Sequence, residues 1–139
     1  MEKQENKISH LQMIQSIIDR MGRNSFYLKE WSVGIMIAVY AFAGQNYKKA
    51  VIVTLVPLLI FWMLDSYYLM LERKYRRLYD EVRKKGDSEI DFDMNFNNIT
   101  LKMSEIKKFE YARIAFSKTE WLFYIVCILV TLIIYFINF

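Results

Sequence analysis

The last nineteen residues, 121–139 (WLFYIVCILVTLIIYFINF), contain no charged side chain and are almost wholly apolar. As a helix at about 1.5 Å per residue, this segment would extend roughly 28 Å, close to the hydrocarbon thickness of a bilayer. A helix that is apolar on all sides needs an apolar neighbour on every side, and a soluble chain of 139 residues hardly provides one. The segment therefore predicts an integral membrane protein.

Two further segments are candidates for membrane spans. Residues 31–44 are uncharged but short, and residues 50–71 form a long apolar run interrupted by one acid, Asp65. The five residues between them (QNYKK) are too few for anything but the turn of an antiparallel hairpin. We therefore predict a transmembrane hairpin over 27–71 and a third span over 121–139; a soluble bundle of three apolar helices is the alternative.

The distribution of lysine and arginine predicts the orientation of the spans. Five of the 19 basic residues precede the first span, two lie in the hairpin turn, and twelve lie between the second and third spans. Because cytoplasmic loops carry the excess of positive charge, the N-terminus and the segment 72–120 are predicted inside, with the C-terminus outside. The charge distribution thus predicts a multi-pass topology.

The N-terminal segment, 1–26, has the pattern of an amphipathic helix. Leu11, Ile14, Ile18 and Met21 recur at spacings of three and four residues and form one apolar stripe. Such a stripe can lie on the inner leaflet or pair with its copies in a small bundle. The sequence leaves both alternatives open.

The segment after the second span is strongly basic and has no helix breaker before Gly86, a candidate C-cap. We expect it to continue the second span as one helix of about 35 residues. Its basic side chains suit anionic lipid headgroups or, alternatively, a nucleotide or oligonucleotide ligand. The candidate ligand-binding residues are Arg73, Lys74, Arg76, Arg77, Arg83 and Lys84.

Residues 89–96 (EIDFDMNF) alternate between apolar and polar side chains, which is typical of a half-buried strand. A single strand needs a partner. The candidates are a hairpin with residues 98–103, a second copy of the chain, or a partner protein.

Polar and small residues within the spans are the candidates for function. Asp65 is costly at membrane depth unless it faces water, is paired or is protonated. It either pairs with Lys29 or Arg23, or lines a pore together with Glu30 in an assembly of several copies. Gly34, Ala38 and Ala41 allow close helix packing, within the hairpin or between copies.

Catalysis is not predicted. The chain has one cysteine and one histidine, no glycine-rich phosphate loop and no cluster of metal ligands. We expect neither an enzyme nor a protein that needs a cofactor or a metal.

Three stretches of the sequence carry a resemblance to a known group of proteins. They are HLQMIQSIIDRMGRNSFYLKEW (10–31), FWMLDSYYLMLERKYRRLYDEVR (61–83) and FSKTEWLFY (116–124). Together they resemble small bacterial inner-membrane effectors of anti-phage defence loci, and most closely the membrane effector of Hailong-type systems. The resemblance implies an oligomeric, channel-like protein controlled by a nucleic-acid-like signal that a partner nucleotidyltransferase makes.

The sequence thus predicts an all-α membrane protein with three spans and a small cytoplasmic module that contains a short β element. The hypothesis for its function is a homo-oligomer, with a tetramer as our guess, that conducts ions and depolarises the membrane of an infected cell. The alternative is a non-conducting membrane adaptor that docks a cytoplasmic partner protein.

Overall fold

Three long α-helices make up most of the described part of the protein. The computed structural model describes residues 2–44, 46–96 and 113–137. Helix α1 comprises Glu2–Phe42, α2 comprises Tyr47–Lys84, and α3 comprises Lys118–Ile137. About 88% of the described residues are helical and none of them lies in a strand, so the predicted all-helical class is confirmed.

Helices α1 and α2 form a long antiparallel hairpin, and α3 packs mainly against α2. Helix α2 runs for 38 residues, about 57 Å, without a break between its apolar and basic halves. The prediction that these halves form one helix is therefore confirmed. Gly86 is not a left-handed cap, because its φ is −67° and the N–H of Lys85 closes the last turn on the carbonyl groups of Glu81 and Val82.

The apolar stripe of the N-terminal segment packs inside its own chain. Ile14 and Ile18 of α1 are buried against Leu78 and Val82 near the C-terminal end of α2. Neither predicted alternative, a helix on the leaflet or a bundle of copies, describes this packing. The sequence could not show it, because the matching apolar face of α2 is hidden among basic residues.

The segment predicted as a strand has another conformation over its described part. After a 3₁₀ turn at Asp87–Glu89, residues 90–96 are irregular, and 97–103 lie outside the described residues. The Asp91 and Asp93 carboxylates accept the N–H groups of Asp93 and Asn95, and Phe92 has a φ of 53°. These turns replace a strand ladder, while Ile90 and Met94 contact the α1–α2 core.

Two of the helices are long and apolar enough to cross a membrane, by length and composition. They are Lys48–Lys84 and Glu120–Ile137, and only 33% and 22% of their most apolar stretches are buried in the protein. An apolar helix that is mostly uncovered differs from a helix in the core of a soluble protein. A third span in α1 stays a prediction.

Candidate functional site

Three charged side chains, one from each helix, meet at one level of the bundle. Lys29 of α1 lies between Asp65 of α2 and Glu120 of α3, at 2.5 Å and 3.0 Å from their carboxylate oxygens. The side chains of Asp65 and Glu120 are 0% and 3% exposed, and that of Lys29 is 21% exposed. We call Ser25, Lys29, Asp65, Glu120 and Tyr124 the charge cluster.

Asp65 is surrounded by donors. One of its oxygens accepts a hydrogen bond from the Ser25 hydroxyl, and the other accepts from the Lys29 ammonium and, at 3.0 Å, from the Tyr124 hydroxyl. Both oxygens of this buried carboxyl group therefore have hydrogen-bond partners, as a buried polar group requires. Of the two predicted ion-pair partners, Lys29 makes the contact, whereas Arg23 is exposed.

Glu120 is buried with fewer donors. Its Oε1 accepts a hydrogen bond from Lys29 at 3.0 Å, while its Oε2 is buried without a hydrogen-bond partner among the described residues. Lys29 therefore forms ion pairs with two acids at once, and it also donates a hydrogen bond to the Ser25 hydroxyl at 3.1 Å.

The apolar stretches of the helices all extend away from the charge cluster in one direction. About 20 Å of helix separate Lys29 from the end of α1, and about 22 Å separate Asp65 from Ala50. Glu120 lies at the beginning of the candidate span of α3. The three charges therefore mark a common boundary between apolar and polar parts of the bundle.

Three serine and threonine hydroxyl groups beyond this boundary are satisfied within their own helices. Ser32, Thr54 and Thr131 are each buried and donate to the carbonyl four residues earlier, at 2.7–2.9 Å. Such bonds need no water, and they are therefore compatible with a lipid environment.

The other predicted residues within the spans lie apart from the charge cluster. Glu30 is exposed beside Lys29 on α1, so it does not join Asp65 within one chain. Gly34, Ala38 and Ala41 are also exposed, and a Cβ atom at Gly34 would meet nothing within 4 Å. Packing within the hairpin therefore does not explain these small residues; packing between copies stays a prediction.

The predicted ligand-binding residues lie on α2 beyond the charge cluster. Arg76, Arg83 and Lys84 are exposed, whereas Arg73, Lys74 and Arg77 are half-buried. Several are paired on the helix itself: Arg76 with Glu72 at 2.7 Å, Arg83 with Asp80, and Lys84 with Glu81. Lys74 instead lies 5.2 Å from the centre of the Phe96 ring. Together these side chains form a basic face that is partly neutralised.

Asp91 and Asp93 accept hydrogen bonds from the backbone. Their spacing matches the start of a calcium-binding loop only superficially. The hydrogen bond from the Asp93 N–H and the contact with Lys85 hold the pKa of Asp91 below its usual value. No group of three or more metal-binding side chains occurs in the described part of the chain.

Sequence reasoning missed Ser25, Glu120 and Tyr124 as members of the site. The usable signal was positional: Glu120 directly precedes the apolar run of α3, at the same boundary as Lys29 and Asp65. Comparisons with protein-family models, with curated proteins and with solved structures gave no match.

Proposed function

We propose that the protein is a three-span bacterial inner-membrane protein that assembles into an ion-conducting oligomer, with the charge cluster as a lock of its closed state. The observation that carries this proposal is the buried contact of Lys29 with Asp65 and Glu120 at the boundary of the apolar segments. A buried charge cluster at this level is unusual in a membrane helix bundle and marks a functional element.

Exposed aromatic side chains support the membrane placement. Tyr27, Trp31 and Tyr67 lie at the level of the charge cluster and are 51%, 65% and 46% exposed. Tyrosine and tryptophan are enriched where helices pass through the lipid headgroups. We therefore place the cytoplasmic surface of the membrane at the charge cluster.

The ion path would form between copies. Asp65 is sequestered in the single chain, so conduction requires that its contact with Lys29 be released and that Asp65, with Glu30, turn towards a central pathway. A tetramer is our working assumption. A signal bound on the cytoplasmic side would drive this change.

The basic face of α2 supports an anionic signal, which the resemblance to Hailong-type effectors suggests is a nucleotide or oligonucleotide. Its residues continue the helix that carries Asp65, so binding there can be transmitted along one rigid element. In this proposal a partner nucleotidyltransferase makes the signal, the outcome is depolarisation of an infected cell, and the protein itself catalyses nothing.

The test is the membrane potential of cells that express the protein. We expect the wild type to depolarise the inner membrane during infection and Asp65→Ala to lose this effect, because the acid of the ion path is gone. Asp19→Ala, which removes an exposed acid of α1 outside the charge cluster, serves as the control. A wild type that leaves the potential unchanged under every condition, including infection, would contradict the proposal.

The second candidate is a non-conducting adaptor. It is favoured by the cytoplasmic end of the hairpin, where residues 85–96 wrap over α1 and α2 through Lys7, His10 and Ile90 and form a structured surface. Purification in detergent separates the two candidates: a monomer that gains order only with a protein partner indicates the adaptor.

A further inference from the structure

The charge cluster contains one acid more than it has bases. Among the described residues, the charged groups that face Glu120 are Lys29 from α1 and Asp65 from α2, and Tyr124 from its own helix adds a neutral hydroxyl. With all three charged groups ionised the cluster would carry a net charge of −1. A buried net charge at the edge of a bilayer is costly.

The hydrogen bonds show which of the two acids is less well compensated. Both oxygens of Asp65 accept from donors, whereas the buried Oε2 of Glu120 has no hydrogen-bond partner in the described part of the chain. Asp65 Oδ2 and Glu120 Oε1 lie 2.5 Å and 3.0 Å from the same Lys29 nitrogen, so the two carboxyl groups are neighbours in the charge cluster. Two carboxylates cannot bond to each other, since both are acceptors; a carboxylic acid and a carboxylate can.

We propose that Glu120 and Asp65 together bind one proton, with Glu120 as the proton-carrying donor and Asp65 as the acceptor. The bound proton gives Oε2 a partner and brings the charge of the cluster to zero. A metal ion does not suit the site, because hard cations take about six or more oxygen ligands, while the oxygens of Asp65 are already occupied by three donors.

Proton binding at this site controls how firmly α3 is attached. Glu120 and Tyr124 are the polar contacts of α3 with α1 and α2 within the charge cluster. When the proton leaves, the two carboxylates repel each other and the attachment weakens. The inference rests on the membrane placement proposed above but not on ion conduction.

The test is infrared spectroscopy of the full chain in phospholipid vesicles. We expect the wild type to show the carbonyl stretching band of a buried protonated carboxylic acid, which disappears as the pH is raised. Glu120→Gln should lack the band, and Glu5→Gln, which changes an exposed glutamate near the start of α1, should keep it. Absence of the band from the wild type, or its persistence in Glu120→Gln, would overturn the proposal.

Asp65→Asn provides a second variant in case Glu120→Gln does not fold. The asparagine leaves Lys29 and Glu120 as a neutral pair, and its amide can donate to Oε2, so Glu120 no longer needs a proton. We therefore expect this variant to lose the band as well. A band of undiminished intensity in Asp65→Asn would contradict the shared proton.

Thermal unfolding provides an independent readout. A proton held more tightly by the folded than by the unfolded chain makes stability fall as the pH rises. The unfolding temperature of the wild type should therefore decrease with pH, while that of Glu120→Gln should change less; identical pH profiles would refute the proposal. Ion flux measured in the same vesicles distinguishes a failure of the proposed proton site from a failure of the proposed ion conduction. A protein that conducts ions but lacks the carbonyl band of a protonated acid contradicts only the proton site.

Discussion

Lys29 is the residue on which the charge cluster depends most. It is the base that Asp65 and Glu120 share, and its side chain crosses from α1 to both other helices. Removal of one partner of a buried ion pair leaves the other charge without compensation. Substitutions of Lys29, Asp65 and Glu120 should therefore lower the stability of the protein by different amounts, and these amounts can be measured.

We expect Lys29→Met to destabilise the protein by about 3–5 kcal/mol, because it leaves two buried acids without a base. Asp65→Asn should cost less, about 1–3 kcal/mol, because Glu120 still neutralises Lys29. Reversible unfolding in detergent measures both values. Lys49→Met, which removes an exposed positive charge near the hairpin turn, is the control and should change stability by less than about 0.5 kcal/mol. Equal effects of Lys29→Met and Lys49→Met would show that the cluster does not hold the helices together.

At the scale of the element, the halves of α1 and α2 that lie beyond the charge cluster, away from the hairpin turn, form a stalk with its own apolar core. Ile14, Ile18, Leu78 and Val82 are nearly inaccessible, with 0–4% of their surface exposed. Met13, one residue away from Ile14 on the helix, is 50% exposed. The two neighbours therefore make a matched pair for testing the packing of the stalk.

Ile14→Ala should cost about 2–5 kcal/mol, because it leaves a cavity in this core. Met13→Ala should cost less than about 0.5 kcal/mol. Thermal unfolding of the full chain in detergent measures both changes. If the two substitutions have equal effects, the stripe does not pack against α2.

The basic face of α2 leads to a prediction about ligand binding. Replacement of Arg73 and Arg77 by glutamine should weaken the binding of a short fluorescent oligonucleotide and reduce its dependence on salt, by a slope of about 1 for each lost phosphate contact. Fluorescence anisotropy at several salt concentrations measures both quantities. Lys48→Gln and Lys49→Gln, introduced together near the hairpin turn, remove the same charge and should leave binding unchanged. An equal loss in both double variants would indicate attraction by net charge alone.

At the scale of the whole molecule, the structure divides into an apolar half and a polar half that meet at the charge cluster. The apolar half holds a small core of Met36, Leu58, Tyr124 and Cys127 and exposes many of its large apolar side chains. In lipid such exposure is favourable, whereas in water it would cause aggregation. The division also predicts on which side of the membrane each end of the hairpin lies.

Cysteine labelling tests this topology. In a Cys127→Ala background, Asn46→Cys at the hairpin turn should react with a membrane-impermeant maleimide added to spheroplasts, and Ser88→Cys after α2 should react only after lysis. Both positions are exposed, so access is decided by the membrane. The opposite labelling pattern would invert the topology, and labelling of both sites before lysis would contradict a membrane-spanning hairpin.

The sequence by itself determined the helical class, the unbroken helix from residue 47 to 84 and the apolar character of two candidate spans. These properties follow from local periodicity and from runs of apolar residues. Tertiary structure decided which residues meet: Asp65 with Lys29, Ser25 and Tyr124, and the stripe of α1 with α2. The segment 90–96 was wrongly predicted as a strand. The alternation of apolar and polar residues shows only which side chains are apolar. Hydrogen bonds from the backbone to the Asp91 and Asp93 side chains, together with contacts with α1 and α2, determine the conformation of this segment. Partners 36 to 91 residues apart depend on how the helices align, and one sequence does not contain that information.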